Sequence, residues 1–281
     1  YSDDIAERIK ERLTLERDLR QAILSDQFEL HLQPKFDIKR QMLTGAEALI
    51  RWQHPTRGLV MPDRFIALAE ETGMIESIGR WVIDAVARQI DIWHQFSQPV
   101  IPVAVNVSSV EFRTGNPART LQSAAAEVDI DPSLIHVEPT ESVSMQDAPQ
   151  PRAALKALRD LGCHLSVADF GTGPSSLAYL RRFQLDTVKI DRAFISDITT
   201  SDEDQSICAA IIAMAHGLNL SVVAEGVETE AQLKCLARLG CDEVQGFLLG
   251  KPVPADQFAA LFGARADIRD GANPTPFFQA S

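Results

Sequence analysis

Short apolar runs recur along this chain and alternate with segments of helical period, a pattern suited to a parallel sheet wrapped by helices. Strands are expected at 28–36, 42–50, 101–107, 134–137, 163–167, 187–190, 220–224 and 242–247. Helices are expected at 63–72, entered through Pro62, and at 78–96, 117–127, 151–161, 203–216, 230–239 and 254–262. About eight strand–helix units favour an α/β fold of the TIM (β/α)8-like barrel type over an open doubly wound sheet. No Rossmann glycine fingerprint follows the first strand, which weakens the open-sheet alternative further.

The length of 281 residues suits one large domain or two small ones. A net charge of −12 argues against binding a nucleic-acid polymer, which needs a basic face. Cys163, Cys208, Cys235 and Cys241 show no paired metal spacing, so free thiols in a reducing cytoplasm are expected. No stretch approaches the ~20 apolar residues needed to span a bilayer, and no signal peptide is seen. The chain begins at Tyr1, which reads as a piece of a longer protein, one whose other parts could attach to a membrane. Residues 1–25 are expected to form a linker helix capped by Asp3 or Asp4, with a helix packed on the barrel flank as the plain alternative. Residues 26–262 then form the main domain and residues 263–281 a loosely ordered tail.

Seven of the apolar runs end in a residue able to bind metal or phosphate: Glu47, Asn106, Glu138, Asp169, Lys189, Glu225 and Gln245. In a barrel such strand ends converge on one rim. A lone Glu47 could be half of a structural ion pair with Arg51, four residues on. Asn106 alone could be a turn cap, though its side-chain oxygen suits a hard cation. Glu138 and Glu141 lie one turn apart at a strand-to-helix junction, where the helix dipole explains Glu141 well and Glu138 poorly. Lys189 and Asp191 share one strand face, and Glu225 and Glu228 repeat the acid-then-acid pattern. The Asp169-Phe-Gly run echoes protein kinases, but no kinase Gly-rich or His-Arg-Asp loop accompanies it.

Taken together these motifs resemble the EAL-domain family, bacterial proteins that bind and hydrolyse cyclic di-GMP. The resemblance covers roughly residues 20 to 262 and rests on Glu47-Ala-Leu49, Asn106-Val-Ser108, Glu-x-Thr-Glu-Ser at 138–142 and Asp-Phe-Gly-Thr-Gly at 169–173. It continues through Lys-Ile-Asp at 189–191, Glu-Gly-Val-Glu at 225–228, Gln-Gly-Phe at 245–247, and Gln33-Pro34 as entry motif. It implies a modified TIM barrel, two Mg²⁺ or Mn²⁺ ions, and attack of water on a phosphodiester to give pGpG. Glu47, Asn106 and Glu138 would hold one metal, and Asp169 would help hold the other. Lys189 and Glu225 would orient or deprotonate the water. Gln33, Arg51 and Asp191 would contact the nucleotide, supported by Gln245 and Glu228. The resemblance further implies a homodimer and an upstream diguanylate-cyclase-type domain.

The chain departs from the family pattern at three positions. Ala168 stands where the first of two adjacent aspartates is expected, Pro174 replaces an aromatic residue, and Pro139 an apolar one. A methyl group has no lone pair to bridge two metals. The expectation is therefore an EAL module that binds cyclic di-GMP with impaired hydrolysis. Alternatives are an active phosphodiesterase using water or Asp169 in the gap, a deliberately inactivated variant of one, and a structural module without ligand.

Overall fold

Apolar side chains fall at alternate positions along the strands, and that period of two gives the sheet an oily face and a polar one. The computed structural model describes residues 2–139, 149–171 and 183–262, leaving out the side chains of residues 2–6, 8 and 169. After α1 (Ser2–Leu24) come β1 (Phe28–Asp37), β2 (Met42–His54), β3 (Gly58–Val60), α2 (Ile66–Thr72) and α3 (Ile75–Gln95). Next are β4 (Val103–Val107), α4 (Ser109–Thr114), α5 (Pro117–Glu127), β5 (Ile135–Pro139), α6 (Pro149–Asp160) and β6 (Ser166–Phe170). The chain continues through β7 (Thr187–Ile190), α7 (Arg192–Ser196), α8 (Asp202–Gly217), β8 (Ser221–Ala224), α9 (Glu230–Leu239), β9 (Glu243–Val244) and β10 (Val253–Pro254). A 3-10 segment, Ala255–Leu261, stands where a helix was expected.

The strands run in the order β5-β4-β2-β1-β9-β8-β7-β6. A parallel bridge from Val137 to Leu165 brings the two ends of that order together, giving a barrel. Along that order every neighbouring pair is parallel except those of β1, which runs antiparallel to both β2 and β9; β3 and β10 add short antiparallel pairs to β2 and β1. This one reversed strand modifies the TIM pattern. Outward residues such as Val105, Val137, Val188 and Val222 join the helices in one apolar core, while the buried Ala104, Ala168 and Val223 stand apart from it. Helix α3 buries Ile75, Ile78, Val82, Val86, Ile90 and Trp93 along one stripe. The four cysteines are buried and unbridged.

Where expected boundaries fail, local hydrogen bonds explain the difference. The strand expected at 163–167 begins later because Gly162, at φ 83°, and Cys163 are used in closing α6. There the Cys163 N–H donates to Leu158 O at 3.1 Å. The last strand is short: the Gln245 N–H still donates to Ala224 O at the end of β8, at 2.9 Å, but its carbonyl accepts from the Val227 N–H in the loop beyond, at 3.1 Å. The short helices α4 and α7 lack a visible apolar period and are set by their caps instead. Asp191 starts α7, and Ser108 starts α4 in a reciprocal capping box with Glu111. The C-terminal part of α1 packs on the barrel flank through the buried Leu19 and Ala22 and the Asp18–His54 pair. The expected tail, Glu141 and Pro174 lie outside the described residues.

Glu111 is buried against α3 at Gly79, where any side chain would collide with its carboxylate. Burial pushes this carboxyl up to about 7, more than its hydrogen bonds with Ser108 pull it down. The native state thus holds a proton that the unfolded chain releases near 4.5, and stability falls as pH rises from there to about 7. Glu111→Gln keeps an acceptor for the Ser108 N–H and removes the titration. Urea midpoints followed against pH should lose that part of the slope, with the variant gaining about 2–3 kcal/mol over the parent above pH 7. An unchanged slope would show that Glu111 is ionised in the native state.

Candidate functional site

The polar inner face of the barrel gathers most of the residues singled out in the sequence. Lys189 on β7, only 1% exposed, reaches into the interior and meets three carboxylates. Its Nζ lies 3.2 Å from Glu47 Oε2 and 2.6 Å from Glu225 Oε1, and it donates to Glu138 Oε2. Asn106 and Glu138 are register partners on β4 and β5, and Glu47 pairs with Ala104 one step below Asn106. The Asn106 Nδ2 donates to Glu47 Oε1 at 2.7 Å. Across the reversed strand, Gln33 stands opposite Glu47 in the β1–β2 register. Gln245 Nε2 donates both to Glu47 Oε2, at 2.8 Å, and to Gln33 Oε1, at 3.1 Å. Gln33 in turn donates to Gly250 O at 3.1 Å, tying the loop after β9 to the floor of the site.

These contacts set the charge states. Burial alone raises the Glu47 carboxyl, but Lys189 and the Asn106 and Gln245 hydrogen bonds outweigh it and hold it low. Burial likewise opposes a charged Lys189, yet Glu138, Glu225 and Glu47 together keep its ammonium well above the ordinary range. For Glu225 burial wins: its carboxyl is pushed up despite the neighbouring Lys189. The centre is therefore a buried ion cluster with one acid poised to hold or release a proton.

Two buried oxygen atoms, Glu138 Oε1 and Gln245 Oε1, have no hydrogen-bond partner among the described residues, a condition that native interiors rarely tolerate. An orphaned carboxylate oxygen on Glu138, with Asn106 as its register partner and Glu47 and Glu225 around the same ammonium, fits a hard cation, which prefers oxygen ligands. Among the described residues no ready-made cage of three or more His, Cys, Asp or Glu is present, because Lys189 sits between the acids.

The remaining expected residues take varied places. Arg51 is buried on β2, donates to Ile50 O at 2.9 Å, and forms no ion pair among the described residues; it stands opposite Glu29. The structural Glu47–Arg51 pair thus does not form, since Lys189 takes the Glu47 carboxylate. Asp191 uses one oxygen to cap α7, accepting from the Ala193 N–H at 2.7 Å. Glu228 is exposed just before Thr229, the cap of α9. Ala168 is 6% exposed on β6. The β6–β7 register skips there: Val167 pairs with Val188 and Phe170 with Ile190, so Ala168 and Asp169 together stand against Lys189. Such a bulge lets two adjacent residues address one site, which simple alternation forbids. The Asp169 side chain lies outside the described part.

Lys35 escaped the sequence reading, and two residues of the Gln-Gly-Phe run take roles that the sequence did not show. Lys35, two residues from Gln33 and hence on its face, is buried in the interior. Phe247 is 55% exposed beside the site loop, with Lys251 Nζ 5.6 Å from its ring centroid. Gly246 permits the loops after β8 and β9 to touch, since a side chain there would collide with the Val227 backbone. The first had a signal, a lysine in an apolar strand; the others depend on folding.

A sequence model of the EAL domain matches residues 16–252. The bifunctional diguanylate cyclase/cyclic di-GMP phosphodiesterase MucR of Pseudomonas aeruginosa is 44% identical over 89% of this chain and 37% of that protein. The cyclic di-GMP phosphodiesterase NbdA of the same organism is 42% identical over 90% of this chain and 32% of that protein. The chain thus spans about a third of the length of these curated relatives. A solved structure of PaMucR phosphodiesterase in complex with c-di-GMP, 44% identical, superposes with a TM-score of 0.83 over 87% of this chain and 99% of that one.

Removing the Lys189 ammonium strands two buried acids, Glu47 and Glu138, and the half-buried Glu225. Lys189→Met should cost about 3–5 kcal/mol in denaturant unfolding at neutral pH. A loss under about 1 kcal/mol would show that the acids are already neutral, contrary to the cluster described.

Proposed function

Because the chain belongs to the EAL-domain family, we propose that it binds cyclic di-GMP at the rim around Lys189 and that Ala168 impairs its hydrolysis. The observation that carries this reading is the buried Ala168 at the β6 bulge, beside an otherwise complete cluster of Lys189, Glu47, Glu138 and Glu225. The methyl group supplies no oxygen where two divalent ions would share one.

Glu47, Asn106 and Glu138 would hold a first Mg²⁺ or Mn²⁺, and Asp169 would help hold a second. Such ions supply charge for the phosphodiester oxygens and lower the pKa of water. Lys189 orients the attacking water, and Glu225, with its raised carboxyl, accepts the proton. Gln33, Arg51 and Asp191 bind the nucleotide. Arg51 suits a phosphate because its guanidinium donors are not spent on an ion pair among the described residues. Gln245 keeps Gln33 and Glu47 in place, and Glu228 supports the loop before α9. The exposed ring of Phe247 offers a stacking surface for a guanine base.

Losing a bridging carboxylate removes ~3–5 kcal/mol of transition-state stabilisation, or roughly 10²–10⁴ in rate, while most nucleotide contacts stay. The same reading assigns the domain to residues 26–262 and makes α1 the connector from an upstream diguanylate-cyclase-type domain. The lengths of the relatives and the bifunctional name of MucR support it. A homodimer in the cytoplasm completes the proposal. No described helix is long and apolar enough to cross a membrane.

Calorimetric titration with cyclic di-GMP in the presence of chelator tests the binding half. Saturable binding is expected, and Arg51→Ala should weaken it about 10-fold or more, the loss of one charge-assisted phosphate contact. No measurable heat or affinity in the parent would overturn the proposal.

A further inference from the structure

The interior holds a second buried cation that the hydrolytic scheme does not use. Lys35 is 6% exposed, and its Nζ lies 3.8 Å from Glu138 Oε1, the carboxylate oxygen without a hydrogen bond among the described residues. Lys189 takes the other oxygen, so Glu138, itself 0% exposed, is held between two ammonium groups. The surroundings make room for this. Gly45 is the register partner of Lys35, and a Cβ there would sit 3.5 Å from Lys35 Cε and 3.0 Å from Pro102 O. Nearby, His136 and His164 stack with centroids 4.6 Å apart. Among the described residues neither ring forms an ion pair with Glu138, whose partners are Lys35 and Lys189. His164 is bonded instead to Thr187 Oγ1 at 2.8 Å.

The charges explain why a second cation is present. Glu47, Glu138 and Glu225 surround one Lys189, and a buried carboxylate without a partner is strongly destabilising. We propose that Lys35 is a positioning residue, the standing counter-ion of Glu138 Oε1, which fixes that carboxylate in the metal-free site and is relieved when a divalent cation takes up the charge. This rests on the reading of Glu138 as a metal ligand.

The test is a set of thermal melts on the whole chain with chelator and with Mn²⁺. In chelator, Lys35→Met should lower the melting temperature by ~5 °C, and the loss should fall below ~1 °C in a Glu138→Gln background. Lys35→Arg, which keeps the charge, should melt within ~2 °C of the parent. Equal losses in both Glu138 backgrounds would mean that Lys35 only fills space, and would overturn the proposal. Added Mn²⁺ should raise the melting point of Lys35→Met more than that of the parent, since the ion replaces the missing charge; equal rises contradict that replacement. If the parent itself does not respond to Mn²⁺, the metal reading of Glu138 fails, while the chelator comparison still decides whether Lys35 holds the carboxylate.

Discussion

An ammonium group buried among three carboxylates organises this protein. Lys189 is 1% exposed, and charges so deeply buried persist only where each is met by an opposite charge or a directed hydrogen bond. Glu47 and Glu138 lie on β2 and β5 and Glu225 just past the end of β8, so the cluster forms only when the barrel is closed in register. The reverse holds too: a one-residue slip of β7 would turn Lys189 into the apolar outer core and strand the acids inside. Chemistry and fold thus constrain one another. The interior is polar because the site is there, and the outer layer between strands and helices carries the apolar burial.

Two departures from an ideal (β/α)8 barrel shape the site. Reversal of β1 brings Gln33 opposite Glu47 in mid-strand, rather than at a strand end, and gives Gln245 two acceptors to clamp. The β6 bulge sets Ala168 and Asp169 jointly against Lys189. That geometry accommodates two acids side by side, and this chain supplies only one of them. On the proposed reading, an alanine here spares folding, since it leaves no unpaired charge, and costs hydrolysis its second acid.

Much of this was legible in the sequence. Each polar residue closing an apolar run marked a place where burial needed a partner, and Glu47, Asn106, Glu138, Lys189, Glu225 and Gln245 do converge. Strand alternation with helical segments gave the barrel. Less was visible where hydrogen bonds beyond the local window decide. The direction of β1 depends on its neighbours, the late start of β6 on the closing turn of α6, and α4 and α7 on side-chain caps. Lys35 was overlooked because a single lysine in a strand looks like a solvated edge until the barrel closes over it. Spacing allows a Glu47–Arg51 pair as an alternative, yet the carboxylate is taken by Lys189, distant in sequence, at 3.2 Å.

The most direct measurement compares pGpG formation from cyclic di-GMP by the parent chain and by Ala168→Asp, at saturating Mg²⁺ and again at saturating Mn²⁺. If the missing carboxylate is the cause of impairment, the parent should be about 100-fold or more slower than the variant, with nucleotide affinity nearly unchanged. Parent turnover at ordinary enzyme rates, ~1 s⁻¹ or faster, would contradict the account.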